Sequence, residues 1–176
     1  MLYKTFAIIL ASGKGSRFGM PKSKASFNGS LFSQKIMETL VSGGIEEIYL
    51  ADDLKTDSML DTIRQSISSL KEAADCYLIF PVDHPFVLSE TISTMLQVSR
   101  ANPDCVIKPE YRGHRGHPII IPANLDLNDC QYDNLRDLIR YSGIATLIVP
   151  VEDPGILMNI NHPEDIHIGQ EACLEM

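Results

Sequence analysis

The chain has 176 residues, 15 Lys and Arg against 23 Asp and Glu, a formal net charge of −8, and 44% hydrophobic residues. This is the make-up of one folded domain over residues 1–176 with a sizeable core, and the acidity argues against nucleic-acid binding. No run approaches the roughly 20 apolar residues that span a bilayer, no signal-peptide pattern opens the chain, and the four cysteines (Cys76, Cys105, Cys130, Cys173) form no Cys-x-x-Cys pair, which fits reduced thiols in a cytoplasmic protein.

Strand-like and helix-like segments alternate along the chain. Residues 5–11 read as a first strand and 31–42 as an amphipathic helix with Leu31, Ile36, Leu40 and Val41 inward, stopped by Gly43-Gly44. Residues 45–51 form a second strand, and 56–70 a helix with Met59, Leu60, Ile63 and Ile67 on one face. The run 76–82 is apolar enough to be a central strand covered on both sides. A helix over 89–100 follows, with Ser89 as N-cap. Strands at 104–108, 118–121 and 145–149 come next, with a helix near 132–141, and the stretch after Asp165 is a short helix or a frayed end. This alternation predicts an α/β protein with a mainly parallel sheet, whose ligands gather at the carboxyl ends of the strands.

The first strand empties into Leu10-Ala11-Ser12-Gly13-Lys14-Gly15-Ser16-Arg17-Phe18-Gly19-Met20-Pro21-Lys22. Glycines at 13 and 15 let the main chain bend close to an anion and aim successive N–H groups at it. Lys14, Arg17 and Lys22 supply the positive charge that a triphosphate calls for. The charge map agrees: the first acid is Glu38, while Lys4, Lys14, Arg17, Lys22, Lys24 and Lys35 all precede it. The loop is no P-loop, because Met20 follows Gly19. It misses the dinucleotide fingerprint by one residue, and Pro21 interrupts the helix that such a loop opens into; Asp52 can imitate that fingerprint's acidic ribose ligand.

Three further constellations carry chemistry. Asp83 ends the central strand in Pro81-Val82-Asp83-His84-Pro85, where it either caps a turn or ligates Mg²⁺. His84 reads as a solvated turn residue. Arg112-Gly113-His114-Arg115-Gly116-His117-Pro118 forms a second cationic patch suited to a phosphorylated acceptor, its glycines allowing close approach of main chain to ligand. In Asn159-Ile160-Asn161, the two amides share one face of an extended segment, and Asn161 can complete a Mg²⁺ shell opposite Asp83.

In this order the motifs resemble the MobA-like nucleotidyltransferases, and within them the molybdenum cofactor cytidylyl- and guanylyltransferases. Leu10, Ala11, Gly13, Gly15, Arg17, Gly19, Pro21 and Lys22 match the opening motif. Asp83 and Pro85 match Asp-x-Pro, Arg115 to Pro118 match Arg-Gly-His-Pro, and Asn159 to Asp165 match the closing motif. The resemblance implies a three-layer α/β/α Rossmann-like fold with a mixed, mainly parallel sheet, lacking one βα unit because only residues 52–55 follow the second strand. It implies Mg²⁺-dependent transfer of CMP from CTP to molybdopterin with release of pyrophosphate. Transfer of GMP, transfer to a phosphorylated sugar or alcohol, and a non-catalytic nucleotide-binding member stand as alternatives. The roles it implies are Arg17, Lys22 and Asp83 in catalysis, and Leu10, Ala11, Ser12, Gly13, Gly15, Ser16, Arg17 and Lys22 on the nucleotide. Arg115, Gly116 and His117 face the acceptor, Asp83 and Asn161 hold the metal, and a molybdoenzyme is the partner. Arg-Gly-His-Pro points to the cytidylyl branch, whereas Asn-x-Asn is more usual in the guanylyl branch.

Overall fold

The computed structural model describes residues 3–12, 26–27, 29–52, 54–129, 131–162 and 165. In chain order these form β1 (Thr5–Leu10), β2 (Ser26–Phe27), β3 (Ser30–Leu31), α1 (Phe32–Ser42), β4 (Glu47–Ala51), α2 (Met59–Ser68) and β5 (Cys76–Pro81). There follow α3 (Ser89–Ala101), β6 (Val106–Tyr111), β7 (His114–Arg115), β8 (Ile119–Pro122), α4 (Leu135–Tyr141), β9 (Thr146–Pro150) and a 3-10 turn over Pro154–Leu157.

The main sheet runs β4-β1-β5-β8-β6-β7, with β9 also paired to β6. β4, β1 and β5 are parallel, as are β6 and β9, while β8 lies antiparallel between β5 and β6. The apolar run of β1 explains its central place, since alternate residues serve two cores. Ala7 and Ile9 meet α1 and α3 through Phe32, Ile36, Leu40, Ile92 and Met95. Ile8 and Leu10 meet α2 and α4 through Leu60, Ile63, Leu135 and Leu138. Side chains as fully buried as Ile36, Leu40 and Ile63 each contribute about 1.5–3 kcal/mol of transfer free energy. The result is the expected three-layer α/β/α fold. Among the described residues no strand lies beyond β4, and α2 carries the chain straight back to β5. No helix of the described residues is long and apolar enough to cross a membrane.

The end of α1 forms as its glycines foretell. Ile45 N donates to Leu40 O and Gly44 N to Val41 O, both at 3.0 Å, with Gly44 at φ +95°; this is the left-handed cap that glycine adopts without strain. Gly43 has a different reason to be glycine: a Cβ there would sit 2.6 Å from Ile92 Cβ, so α1 and α3 meet at that point.

Several expected details are corrected. Val41 is 62% exposed and Met59 52%, because each lies one residue, or about 100° of helix, off the buried stripe. Leu31 precedes α1 as its cap and is only partly buried. The cap of α3 is Leu88, not Ser89, and it offers no side-chain hydrogen bond. The strand expected over 104–108 instead runs through Pro109 to Tyr111.

Candidate active site at the carboxyl ends of the strands

The parallel ladders continue one residue past the strands. Ala11 N donates to Ala51 O, and Val82 N to Leu10 O, both at 3.0 Å. Leu10 and Ala11 are therefore clamped between β4 and β5 with buried side chains, so it is their main chain that can face a ligand. Ser12 turns toward α2, where its hydroxyl lies 3.2 Å from Thr62 Oγ1. Thr62 donates to Ser58 O and has Thr56 Oγ1 at 2.7 Å, so its two lone pairs accept from Ser12 and Thr56. Gly13, Gly15, Ser16, Arg17 and Lys22 lie outside the described residues.

Asp83 sits in the turn that follows β5, which the 3.2 Å bond from His84 N to Pro81 O closes. Its side chain is 19% exposed, and Oδ1 lies 2.9 Å from His84 Nδ1. His84 is not solvated as expected; it is 5% exposed and packs edge-on against the His117 ring, centroids 5.0 Å apart. Sequence reasoning missed this residue, and the only signal was its place beside Asp83.

The segment after β9 straps across this end of the sheet. Asp153, buried to 1% exposure, receives Gly155 N, Leu88 N and Thr91 Oγ1 at 2.8, 2.9 and 2.7 Å. It thereby accepts the N–H of the cap residue Leu88, 65 residues away, and the hydroxyl of Thr91 in the first turn of α3. Farther on, Ile156 O receives His117 N at 2.9 Å and Ile160 N donates to Asp83 O at 2.8 Å. Ile160 turns inward, Asn159 is exposed and Asn161 is half-buried. Asp165 Oδ2 accepts from Asn161 N and His162 N, both at 2.8 Å, fixing the strap's far end.

The strap also explains two glycines. A Cβ at Gly116 would lie 2.2 Å from Ile156 O, and one at Gly155 would lie 2.2 Å from Phe86 O. The close approach at Gly116 is thus to the strap's main chain, which corrects the expectation that this glycine makes room for a ligand. His117, after it, joins Pro118 by a cis peptide. Its Nδ1 is buried without a hydrogen-bond partner among the described residues. Burial, aided by His84, pushes its pKa down to about 4, so the ring is neutral near pH 7. Arg115 remains exposed, its Nε 3.9 Å from Glu110 Oε2 across the β6–β7 hairpin.

Asp83 and Asn161 together offer oxygen donors, the kind that a small hard cation such as Mg²⁺ accepts while phosphate and water fill the rest of its octahedron. Among the described residues no three His, Cys, Asp or Glu side chains converge as a metal site, so protein ligands of this type would supply a minority of any shell here.

A mixed, mainly parallel sheet covered on both faces, with a carboxylate just beyond the end of a central strand, gives the chain a Rossmann-like fold shared with nucleotidyltransferases. The sequence pattern of the MobA-like NTP transferase domain matches residues 49–148, and the chain belongs to that family. A protein named probable molybdenum cofactor guanylyltransferase from Bacillus cereus (strain ATCC 10987 / NRS 248) is 29% identical over 160 residues, which cover 80% of this chain and 78% of the relative. A nucleotidyl transferase from Methanothermobacter superposes with TM-score 0.76 at 19% identity, covering 98% of each chain. The manganese complex of Rv0371c from Mycobacterium tuberculosis H37Rv superposes with TM-score 0.70 at 14% identity, covering 97% of this chain and all of that one.

Proposed function

We propose that this nucleotidyltransferase moves GMP from GTP onto the phosphate of molybdopterin and releases pyrophosphate, using a divalent cation held by Asp83 and Asn161. The observation that carries the reading is the bond from Ile160 N to Asp83 O, which sets the residue before Asn161 against the main chain of the strand-end carboxylate. The same carboxylate lies next to β1, where the glycine-rich turn begins. When bound, the cation would neutralise charge on the triphosphate. The N–H groups at Ser12, Gly13, Gly15 and Ser16 would cradle the phosphates above Leu10 and Ala11, which line the site from within the ladder, and Arg17 and Lys22 would take the charge that builds up on the leaving pyrophosphate. A phosphate monoester is ionised near neutral pH, so the attack on the α-phosphorus needs no general base. His117 and Arg115 face the acceptor, while Gly116 serves by holding the strap in place. The product passes to a molybdoenzyme in the cytoplasm.

The choice of GTP follows the relatives' name and Asn159-Ile160-Asn161. The cytidylyl expectation gains nothing from those relatives, and its support is the Arg115-Gly116-His117-Pro118 motif, which makes CTP the second reading. Thermal shift with GTP, CTP and ATP, each with and without Mg²⁺ or Mn²⁺, tests this. Stabilisation by one nucleotide that needs the cation and vanishes in Asp83→Ala is the expected result. Pyrophosphate release with molybdopterin and that nucleotide should then fall about 10²–10³-fold in Lys22→Met. Nucleotide stabilisation without pyrophosphate release from any nucleotide would instead indicate a non-catalytic binder.

A further inference from the structure

We infer that His84 is a positioning residue for Asp83: its Nδ1–H holds the carboxylate in one orientation at the carboxyl end of β5, and His117 holds His84. This role rests on the nucleotidyl-transfer reading for what Asp83 binds, while the pairing comes from the turn after β5.

Neighbouring residues of an extended strand point to opposite faces, so side chains at 83 and 84 meet only because the chain turns there. His84 N donates to Pro81 O at 3.2 Å, and the turn brings His84 Nδ1 within 2.9 Å of Asp83 Oδ1. An ionised carboxylate only accepts, so the proton of this bond sits on Nδ1. The main chain on either side is already fixed. Val82 N donates to Leu10 O of β1 at 3.0 Å, and Ile160 N reaches Asp83 O from the strap at 2.8 Å. Main-chain bonds leave the side-chain torsions of Asp83 open, and the bond from His84 acts on those.

His84 can do this because its own ring is held. The residue is buried, and His117 packs against it edge-on, with centroids 5.0 Å apart and 60° between the planes. His117 is anchored in turn by its N–H on Ile156 O at 2.9 Å. The strap therefore reaches Asp83 twice, directly at its carbonyl oxygen and, through a pair of imidazoles, at its carboxylate. Histidine also suits a carboxylate that must keep its charge for a cation, since an imidazole offers an N–H without the permanent positive charge of arginine. Removing a hydrogen-bond partner of this kind from a metal-binding carboxylate typically lowers metal affinity or activity about 10–100-fold.

The test compares the full chain with two replacements of similar size. In His84→Asn the amide nitrogen takes the place of Nδ1 and can donate to Asp83; in His84→Leu nothing can. Nitrogen–proton correlation NMR of the metal-free wild type is expected to show the His84 proton on Nδ1. Three-bond couplings are expected to give Asp83 one χ1 rotamer in wild type and His84→Asn, and an average over rotamers in His84→Leu. Mn²⁺, titrated with GTP or CTP and followed by water proton relaxation, is expected to bind His84→Leu about 10–100-fold more weakly than wild type and His84→Asn within about threefold of it. A proton on Nε2 alone, an unchanged Asp83 rotamer in His84→Leu, or equal Mn²⁺ affinity in the two variants would overturn the assignment. Should His84→Leu fail to fold, His84→Gln replaces it, its amide lying one bond farther out, with the same outcomes. If wild type takes up no Mn²⁺ with either nucleotide while His84 still fixes the Asp83 rotamer, the positioning stands and the cation reading falls.

Discussion

Replacing Asp153 by alanine removes a buried polar side chain that fastens the strap to the body of the protein. Its carboxylate takes three hydrogen bonds, from Gly155 N, Leu88 N and Thr91 Oγ1 at 2.7–2.9 Å, in surroundings that leave it 1% exposed. Alanine leaves those donors buried, and each costs about 1–3 kcal/mol when unsatisfied. Relief from burying a charge offsets part of that loss, and the hydroxyl of Thr91 can rotate to another acceptor. The net expectation is a destabilisation of about 3–4 kcal/mol, large beside the 5–15 kcal/mol that such a domain possesses. Asp153→Asn keeps the shape and part of the hydrogen bonding, so about half that loss is expected. Urea unfolding followed by circular dichroism measures both, the midpoint falling while the slope stays constant. A loss under about 1 kcal/mol for Asp153→Ala would refute the assignment of this carboxylate as the strap's anchor.

The lowered pKa of His117, about 4 against an ordinary 6.5, means that between those values the unfolded chain binds a proton the folded one refuses. Stability should therefore fall as pH drops from about 6.5 to about 4, by up to about 3 kcal/mol from this group, and the pH profile of His117→Asn should be flatter in that window. Gly116→Ala puts a methyl group against the main chain of Ile156, which cannot swing aside as a side chain could; unfolding experiments should show a loss of about 1–3 kcal/mol, together with slower nucleotidyl transfer as His117 shifts. Ser12→Ala removes a hydroxyl that faces Thr62, so a loss of about 0.5–1.5 kcal/mol with unchanged preference between GTP and CTP is expected from melting and competition assays.

The layering of the fold was legible because it depends on local pattern. The unbroken apolar run of β1, the glycine pair after α1 and the alternation of strand with helix each state their structure within a dozen residues. Faces were read less well at the ends of helices: Val41 and Met59 are apolar yet exposed, since one step along a helix turns a side chain out of the core. The site was legible only in part. Asp83 stood out by ending a central strand, and the structure places it in the turn after β5 with Ile160 N on its carbonyl oxygen. His84 and Asp153 could not be read, because burial of the first depends on His117, 33 residues on, and the role of the second on Leu88 and Thr91 in another layer. The purpose of Gly116 was likewise hidden, since its neighbour Ile156 comes close only once the strap has crossed.

The strap has a consequence for the order in which contacts form during folding. All nine strands described here precede residue 151, so every strand pairing among the described residues can form without the strap. The contacts that finish the mouth, Asp153 to Leu88 and Ile160 to Asp83, bridge 65 and 77 positions and carry the loop-closure penalty of distant partners. The sheet can therefore pair before the strap crosses it, and these two stitches are expected among the last contacts to form.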